Sequence, residues 1–187
     1  MNLQGIIPFA HDLLNRAINE NDVVVDATCG NGNDTLFLSE LVGSKGHVYA
    51  FDIQAQAIET TKAVLAENKR DNVTLIHHSH AYLDQYIDQE QALAAAVFNL
   101  GYLPRSDKTI ITKPDSTITA IEKLLPLLNK NGVIVLVVYA GHPGGKEEKN
   151  AVLDFVSELD QKEYFVLKYQ FMNLMNNPPF VIAVEKK

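Results

Sequence analysis

Val23-Val24-Val25-Asp26-Ala27-Thr28-Cys29-Gly30-Asn31-Gly32-Asn33-Asp34-Thr35 is the stretch that decides how this chain folds. Three consecutive β-branched residues read as a strand buried on both faces. Gly30 and Gly32 follow, and residues without a Cβ take backbone angles and admit a close ligand that others do not. Asn33 or Asp34 then caps or opens a helix whose inner face is Leu38, Leu41 and Val42. A strand, a tight loop and a helix in that order make a cradle for a nucleotide-like ligand.

Outward from this unit the same alternation continues. Ile6, Ala10, Leu13, Leu14, Ala17 and Ile18 predict a leading amphipathic helix, and His11, off the centre of that stripe, reads first as an exposed or capping histidine, with a place in the cofactor pocket as the alternative. His47 to Asp52 is a second strand, followed by a helix burying Ala57, Ile58, Thr61, Val64 and Leu65, and Val73 to His77 is a third strand. Ala94 to Pro104 is the fourth, running out to the carboxyl edge of the sheet. A helix is expected from Thr117 to Lys130, kinked at Pro126 and ended by Asn131-Gly132. Val133 to Tyr139 is apolar on both faces and therefore central. After a helix bearing Val152, Phe155, Val156 and Leu159 come two last strands, about 164–171 and 180–185. The order gives an α/β fold: one seven-stranded sheet, mostly parallel with an antiparallel last strand, and helices on both faces.

Composition narrows the possibilities. A chain of 187 residues fits one domain, here 1–187, and can bury a substantial core. The single cysteine, Cys29, forms no internal disulfide, and the first residues lack the pattern of a signal peptide, so a cytoplasmic, reducing location is expected. No apolar run is long enough to span a membrane. The net charge of −7 opposes general nucleic-acid binding but leaves room for a local basic patch. His77, His78 and His80 invite a metal reading. On a strand only His78 and His80 share a face, and no nearby carboxylate or cysteine completes a set, so no metal is expected.

Which ligand the loop holds follows from its flanks. The nicotinamide fingerprint wants a third glycine where Thr35 stands, and no Lys-Ser/Thr follows as in a phosphate-binding P-loop. Instead Asp26 ends the strand four residues before Gly30, and Asp52 ends the second strand twenty residues beyond Gly32. A carboxylate at Asp52 can accept hydrogen bonds from both ribose hydroxyls of an adenosine cofactor. The Asp-x-x-x-Gly-x-Gly arrangement resembles motif I of the class I S-adenosylmethionine methyltransferases, where the loop receives an amino acid moiety.

The carboxyl edge of the sheet between strands one and four is where a ligand crevice opens in such folds. Asn99-Leu100-Gly101-Tyr102 reaches that edge and keeps the outer residues of the Asn/Asp-Pro-Pro-Tyr/Phe string of amine methyltransferases. An Asn carbonyl and a following backbone carbonyl can accept hydrogen bonds from an amine and aim its lone pair. Arg105, Lys108 and Lys113 against one acid, Asp107, form a basic loop beside it, a place for a phosphate backbone to dock. Ala140-Gly141-His142-Pro143-Gly144-Gly145 arrives at the same edge, and His142 can contact substrate or move a proton. Asn177-Pro178-Pro179-Phe180 spells the amine tetrapeptide after strand six, either as an ordinary proline-led strand entrance or as a substrate wall.

The whole chain resembles the rRNA-methylase family. Pro8-Phe9-Ala10-His11, the stretch from Asp26 to Thr35, Asn99 to Pro104, and Gly141-His142-Pro143-Gly144-Gly145-Lys146-Glu147-Glu148 carry the resemblance. It implies a Rossmann-like fold and S-adenosylmethionine-dependent methylation of the aminomethyl group on a wobble 2-thiouridine of tRNA. Methylation of rRNA or of a small-molecule amine is the alternative. The implied cofactor contacts are Asp26, Thr28, Gly30, Asn31, Gly32, Asn33 and Asp34 around the methionine, Asp52, Ile53 and Gln54 at the ribose, Ser79 and His80 at the adenine, and Asn99. Asn99, Gly101, Tyr102 and His142 would serve the reacting nitrogen. Tyr102, Arg105, Lys108, Tyr139, His142, Pro143, Gly144 and Asn177 would meet the substrate, with Tyr102 and Tyr139 as stacking platforms for a splayed anticodon-loop base. A homodimer is expected on general frequency. A dehydrogenase or a non-catalytic RNA-binding protein would share parts of this pattern. Cofactor binding and tRNA nucleoside analysis separate them.

Overall fold

The computed structural model describes residues 2–101 and 111–187. Its seven strands are β1 (Val23–Asp26), β2 (His47–Asp52), β3 (Val73–His77), β4 (Leu93–Leu100), β5 (Leu128–Val138), β6 (Tyr164–Tyr169) and β7 (Phe180–Lys186). They form one sheet in the order β3-β2-β1-β4-β5-β7-β6. β1 pairs in parallel with both β2 and β4, so the strand order reverses at β1, and its carboxyl end is where a crevice opens. β7 runs antiparallel to β5 and to β6, as the expected last strand does.

Each face of the sheet buries its own apolar set. On one face Phe51, Phe98, Leu100, Leu136 and Phe180 pack with Ile121 and Leu124 of α4 (Pro114–Leu127) and with Val152 and Val156 of α5 (Gly145–Ser157). On the other, Val24, Val48, Val97 and Val135 meet Ala10 and Leu14 of α1 (Ile6–Ala17) and Leu38 of α2 (Asn33–Val42). α3 (Ala55–Glu67) buries Ala57, Thr61 and Leu65. Central strands read as near-continuous apolar runs because both faces are covered.

The structure corrects the span around Pro126. α4 begins at Pro114 and stops at Leu127, three residues before the expected end. Proline donates no amide hydrogen and crowds the preceding turn, so the helix closes one residue later. Lys186 on β7 donates to carbonyls at this helix end, its Nζ reaching those of Pro126 at 3.1 Å and Leu128 at 2.9 Å. Asn131, at φ +64°, bends the strand rather than ending the helix, and the β4–β5 register shifts between Leu93 and Ala95. β6 ends at Tyr169, two residues earlier than expected. A short 3-10 segment, His80–Gln85, follows β3 where only a strand end was predicted.

Candidate active site

Beyond the carboxyl ends of β1, β2 and β4 lies a cleft of about 1110 Å³. One wall is the loop after β1. Gly30 and Gly32 both take positive φ, +52° and +82°. A Cβ on Gly32 would lie 3.0 Å from the Cα of Thr61 on α3, so the loop needs glycine there for close packing as well as for its angle. Thr61 Oγ1 also donates to the Gly30 carbonyl at 3.2 Å. Asp52 ties this loop to β2: one carboxylate oxygen accepts the Gly30 amide at 3.0 Å and the other accepts the Gln54 amide at 2.9 Å. Each oxygen keeps a further lone pair, and Asp52 lines the cleft with Ile53 and Gln54.

Asp26 behaves otherwise. It is fully buried and is no part of the cleft wall, so its expected direct contact with a cofactor is corrected to a supporting one. Its carboxyl accepts from Thr35 Oγ1 at 2.6 Å and from the Thr28 amide at 3.2 Å, holding the two ends of the loop. Burial, then the charge of Asp34, pushes its pKa up to about 7. Gly32 likewise shapes the loop from behind the wall. Thr28, Gly30, Asn31, Asn33 and Asp34 do line it.

The far end is apolar and histidine-rich. Ser79 and His80 are on the wall, with His78 beside them. His80 is 7% exposed, and burial holds its pKa below the usual value. Its Nδ1 donates to the Ala27 carbonyl at 2.9 Å, which leaves Nε2 an acceptor, buried and without a protein partner among the described residues. His77 turns to the Ile53 carbonyl, and His78 packs on Tyr82. No group of three or more His, Cys, Asp or Glu among the described residues could hold a metal.

Opposite the glycine loop stands Asn99 at the end of β4. Its amide nitrogen is held by Thr28 Oγ1 at 2.7 Å, and its side-chain Nδ2 donates to Asp34 at 2.6 Å. Gly101, Tyr139, His142 and Asn177 complete this side. Asn177 arrives because β7 starts at the carboxyl edge, opposite the end of β5, so the β6–β7 loop opens there. Tyr139 has its phenol pKa raised by burial and by the charge of Asp34. Pro143 and Gly144 sit behind the wall, where Gly144 opens α5. Tyr102, Arg105 and Lys108 lie outside the described residues.

Sequence reasoning ranked some wall residues low and missed others. His11 takes its alternative place, on the cleft wall, and is not a capping residue: its Nε2 reaches Asp34 at 2.7 Å, and its ring stacks on Phe37 with centroids 4.2 Å apart. Ile7, Thr112 and Ser116 also line the cleft, as does Lys113 of the expected basic loop. The helical stripe of α1 gave no signal for His11, because its partner lies 23 residues away on α2. Glu148 was quoted only within a longer string, yet it is 1% exposed and accepts from Thr112 Oγ1 at 2.6 Å and Thr117 Oγ1 at 2.8 Å.

The cleft suits an adenosine bearing an amino acid chain. It offers a paired-amide carboxylate at Asp52, a glycine loop packed tightly against α3, and the orphaned acceptor of His80. Comparison with known proteins agrees. Residues 48–185 match the family "Putative rRNA methylase". A protein of Clostridium thermocellum carrying the same designation superposes with a TM-score of 0.97 at 44% identity, each chain covered in full. A "putative methyltransferase" of Streptococcus mutans, crystallised with S-adenosylhomocysteine, gives 0.91 at 42% identity, with 99% of each chain covered. An Arabidopsis thaliana protein named tRNA (mnm(5)s(2)U34)-methyltransferase, chloroplastic, is 37% identical over 95% of this chain and 68% of its own length. The chain therefore belongs to the rRNA-methylase family, within the S-adenosylmethionine-dependent methyltransferases of class I.

Proposed function

We propose that the protein is a tRNA N-methyltransferase that converts wobble 5-aminomethyl-2-thiouridine to its 5-methylaminomethyl form. The observation that carries this reading is the position of Asn99. It stands on the same cleft as the Asp52 cradle, with its side-chain Nδ2 donating to Asp34. The side-chain carbonyl is then the part of Asn99 left to accept from an amine. The activity named for the Arabidopsis relative supports the same substrate.

In this reading Thr28, Gly30, Asn31, Asn33 and Asp34 surround the methionine portion, Asp52, Ile53 and Gln54 the ribose, and Ser79 and His80 the adenine. Bound there, S-adenosylmethionine supplies an electrophilic methyl group on a sulfonium. Asn99 and the Gly101 carbonyl orient the acceptor nitrogen by its hydrogens, so that its lone pair faces that methyl. An alkylammonium has no such lone pair, so the amine must lose a proton before the nitrogen–carbon bond forms and the carbon–sulfur bond breaks. Tyr139, His142 and Asn177 line the approach, where an unpaired base can stack or hydrogen-bond. Lys113, exposed at the start of α4, offers a phosphate contact on an otherwise acidic protein.

Two further points belong to this reading. The protein works as a homodimer through β6, an edge strand on which Phe165, Val166 and Leu167 are all exposed. A cytoplasmic setting accords with its single free cysteine.

The test is mass spectrometry of tRNA nucleosides after incubating purified protein and S-adenosylmethionine with tRNA bearing the aminomethyl group. The methylaminomethyl nucleoside should appear, and Asn99→Ala should slow its formation by about 100-fold. Methylation of rRNA or of a free amine alone would overturn the substrate assignment.

A further inference from the structure

Asp34 has both carboxylate oxygens engaged by side chains from other elements. Oδ2 accepts from Asn99 Nδ2 at 2.6 Å, and Oδ1 meets His11 Nε2 at 2.7 Å. A carboxylate only accepts, so each partner presents an N–H to it. For Asn99 this fixes the amide: Nδ2 is committed to Asp34, and Oδ1 is turned the other way. The backbone of Asn99 is fixed as well, through its amide bond to Thr28 Oγ1. His11 is in turn held by its near-parallel stack on Phe37, with an interplanar angle of 11°. Three elements, α1, α2 and β4, thus converge on the orientation of one amide.

We propose that His11 is a positioning residue for methyl transfer, holding Asp34 so that Asn99 presents its carbonyl, and not its NH2 group, to the acceptor. The proposal rests on the assignment of Asn99 to the acceptor nitrogen made above. Without the His11 contact the Asp34 carboxylate is free to rotate and accept from other donors. The Asn99 amide then loses the anchor that decides which end faces the cleft. An amide presenting NH2 offers a donor to a nitrogen that must keep its lone pair free, which opposes attack. The arrangement also bears on the choice of acceptor: a nucleophile without an N–H or O–H hydrogen has nothing to donate to the Asn99 carbonyl.

Two variants separate the contact from the packing. His11→Phe keeps a ring to stack on Phe37 and removes the donor, whereas His11→Gln keeps an N–H donor and loses the ring. On the tRNA substrate, His11→Phe should lower kcat by about tenfold with little change in the Kd for S-adenosylmethionine, and His11→Gln should recover most of the loss. An unchanged kcat in His11→Phe, or a loss seen only as weaker cofactor binding, would overturn the proposal. A second readout does not depend on the substrate. In 15N-labelled protein the Asn99 side-chain amide signal, identified by its loss in Asn99→Ala, should shift in His11→Phe and stay near its native position in His11→Gln. If that signal does not move, His11 does not hold Asn99, whatever the substrate. If it moves while wild-type protein methylates no aminomethyl uridine, the positioning chain stands and the substrate assignment fails.

Discussion

Asp26 is a carboxyl that burial takes well out of its ordinary range. With a pKa of about 7 in the fold against 3.8 for an ordinary aspartate, the folded protein binds a proton that the unfolded chain releases. The contribution of Asp26 to stability is therefore greatest below the unfolded value, declines as pH rises from about 4 to about 7, and is flat above that, a change of about 4 kcal/mol at most. Asp26→Asn should remove most of this slope. Its carbonyl can still accept from the Thr28 amide, and its NH2 can donate to the Thr35 hydroxyl. Urea unfolding at pH 5 and pH 8 should show the variant less pH-sensitive and at least as stable at pH 8. A variant less stable by more than about 2 kcal/mol at pH 8 would mean that the ionised carboxylate supports the fold. The sequence marked Asp26 as an acid before a glycine loop, but its burial depends on β1 being covered on both faces, which no local pattern records.

At the scale of elements, Glu148 joins three pieces of chain that meet at the acceptor side. It sits on α5, accepts from Thr117 on α4 and from Thr112, and Thr112 Oγ1 in turn accepts the Gly101 amide at 3.0 Å. The Thr112 amide returns a bond to the Gly101 carbonyl, so the strand end and the start of α4 are fastened together. Burial raises the Glu148 pKa, while its two threonine donors pull it down. Glu148→Ala would leave two hydroxyls without their acceptor and should cost about 2–4 kcal/mol in a urea or thermal melt. Glu148→Gln, which keeps one acceptor oxygen, should cost less than half as much. The helix and strand positions around this joint were legible from apolar spacing alone. The joint was not, because hydroxyl–carboxylate contacts between distant segments leave no periodic trace, and because Pro126 ended α4 earlier than its apolar stripe did.

Across the whole molecule, the seven strands, their mostly parallel run and the reversed β7 were legible in the alternation of helices and strands, whereas the full strand order came only with the structure. The pairing of faces at the sheet's open edge was not legible either. β6 exposes Phe165, Val166 and Leu167 in succession, so both of its sides are apolar where an edge strand ordinarily carries charge. If this edge joins two copies, Leu167→Lys should convert a dimer to a monomer in sedimentation experiments at micromolar concentration without unfolding it. A wild-type protein that sediments as a monomer would leave the edge to some other partner and remove the dimer.

The sole cysteine lies in the glycine loop itself. Cys29 is 4% exposed, and burial together with the charge of Asp26 holds its thiol far above the ordinary value. Since only a thiolate is a good nucleophile, Cys29 in the folded protein should react slowly with thiol-directed alkylating agents at neutral pH. A label that does attach at Cys29 therefore records a moment when the cradle has sprung open, giving the molecule a built-in clock for the breathing of its own binding loop.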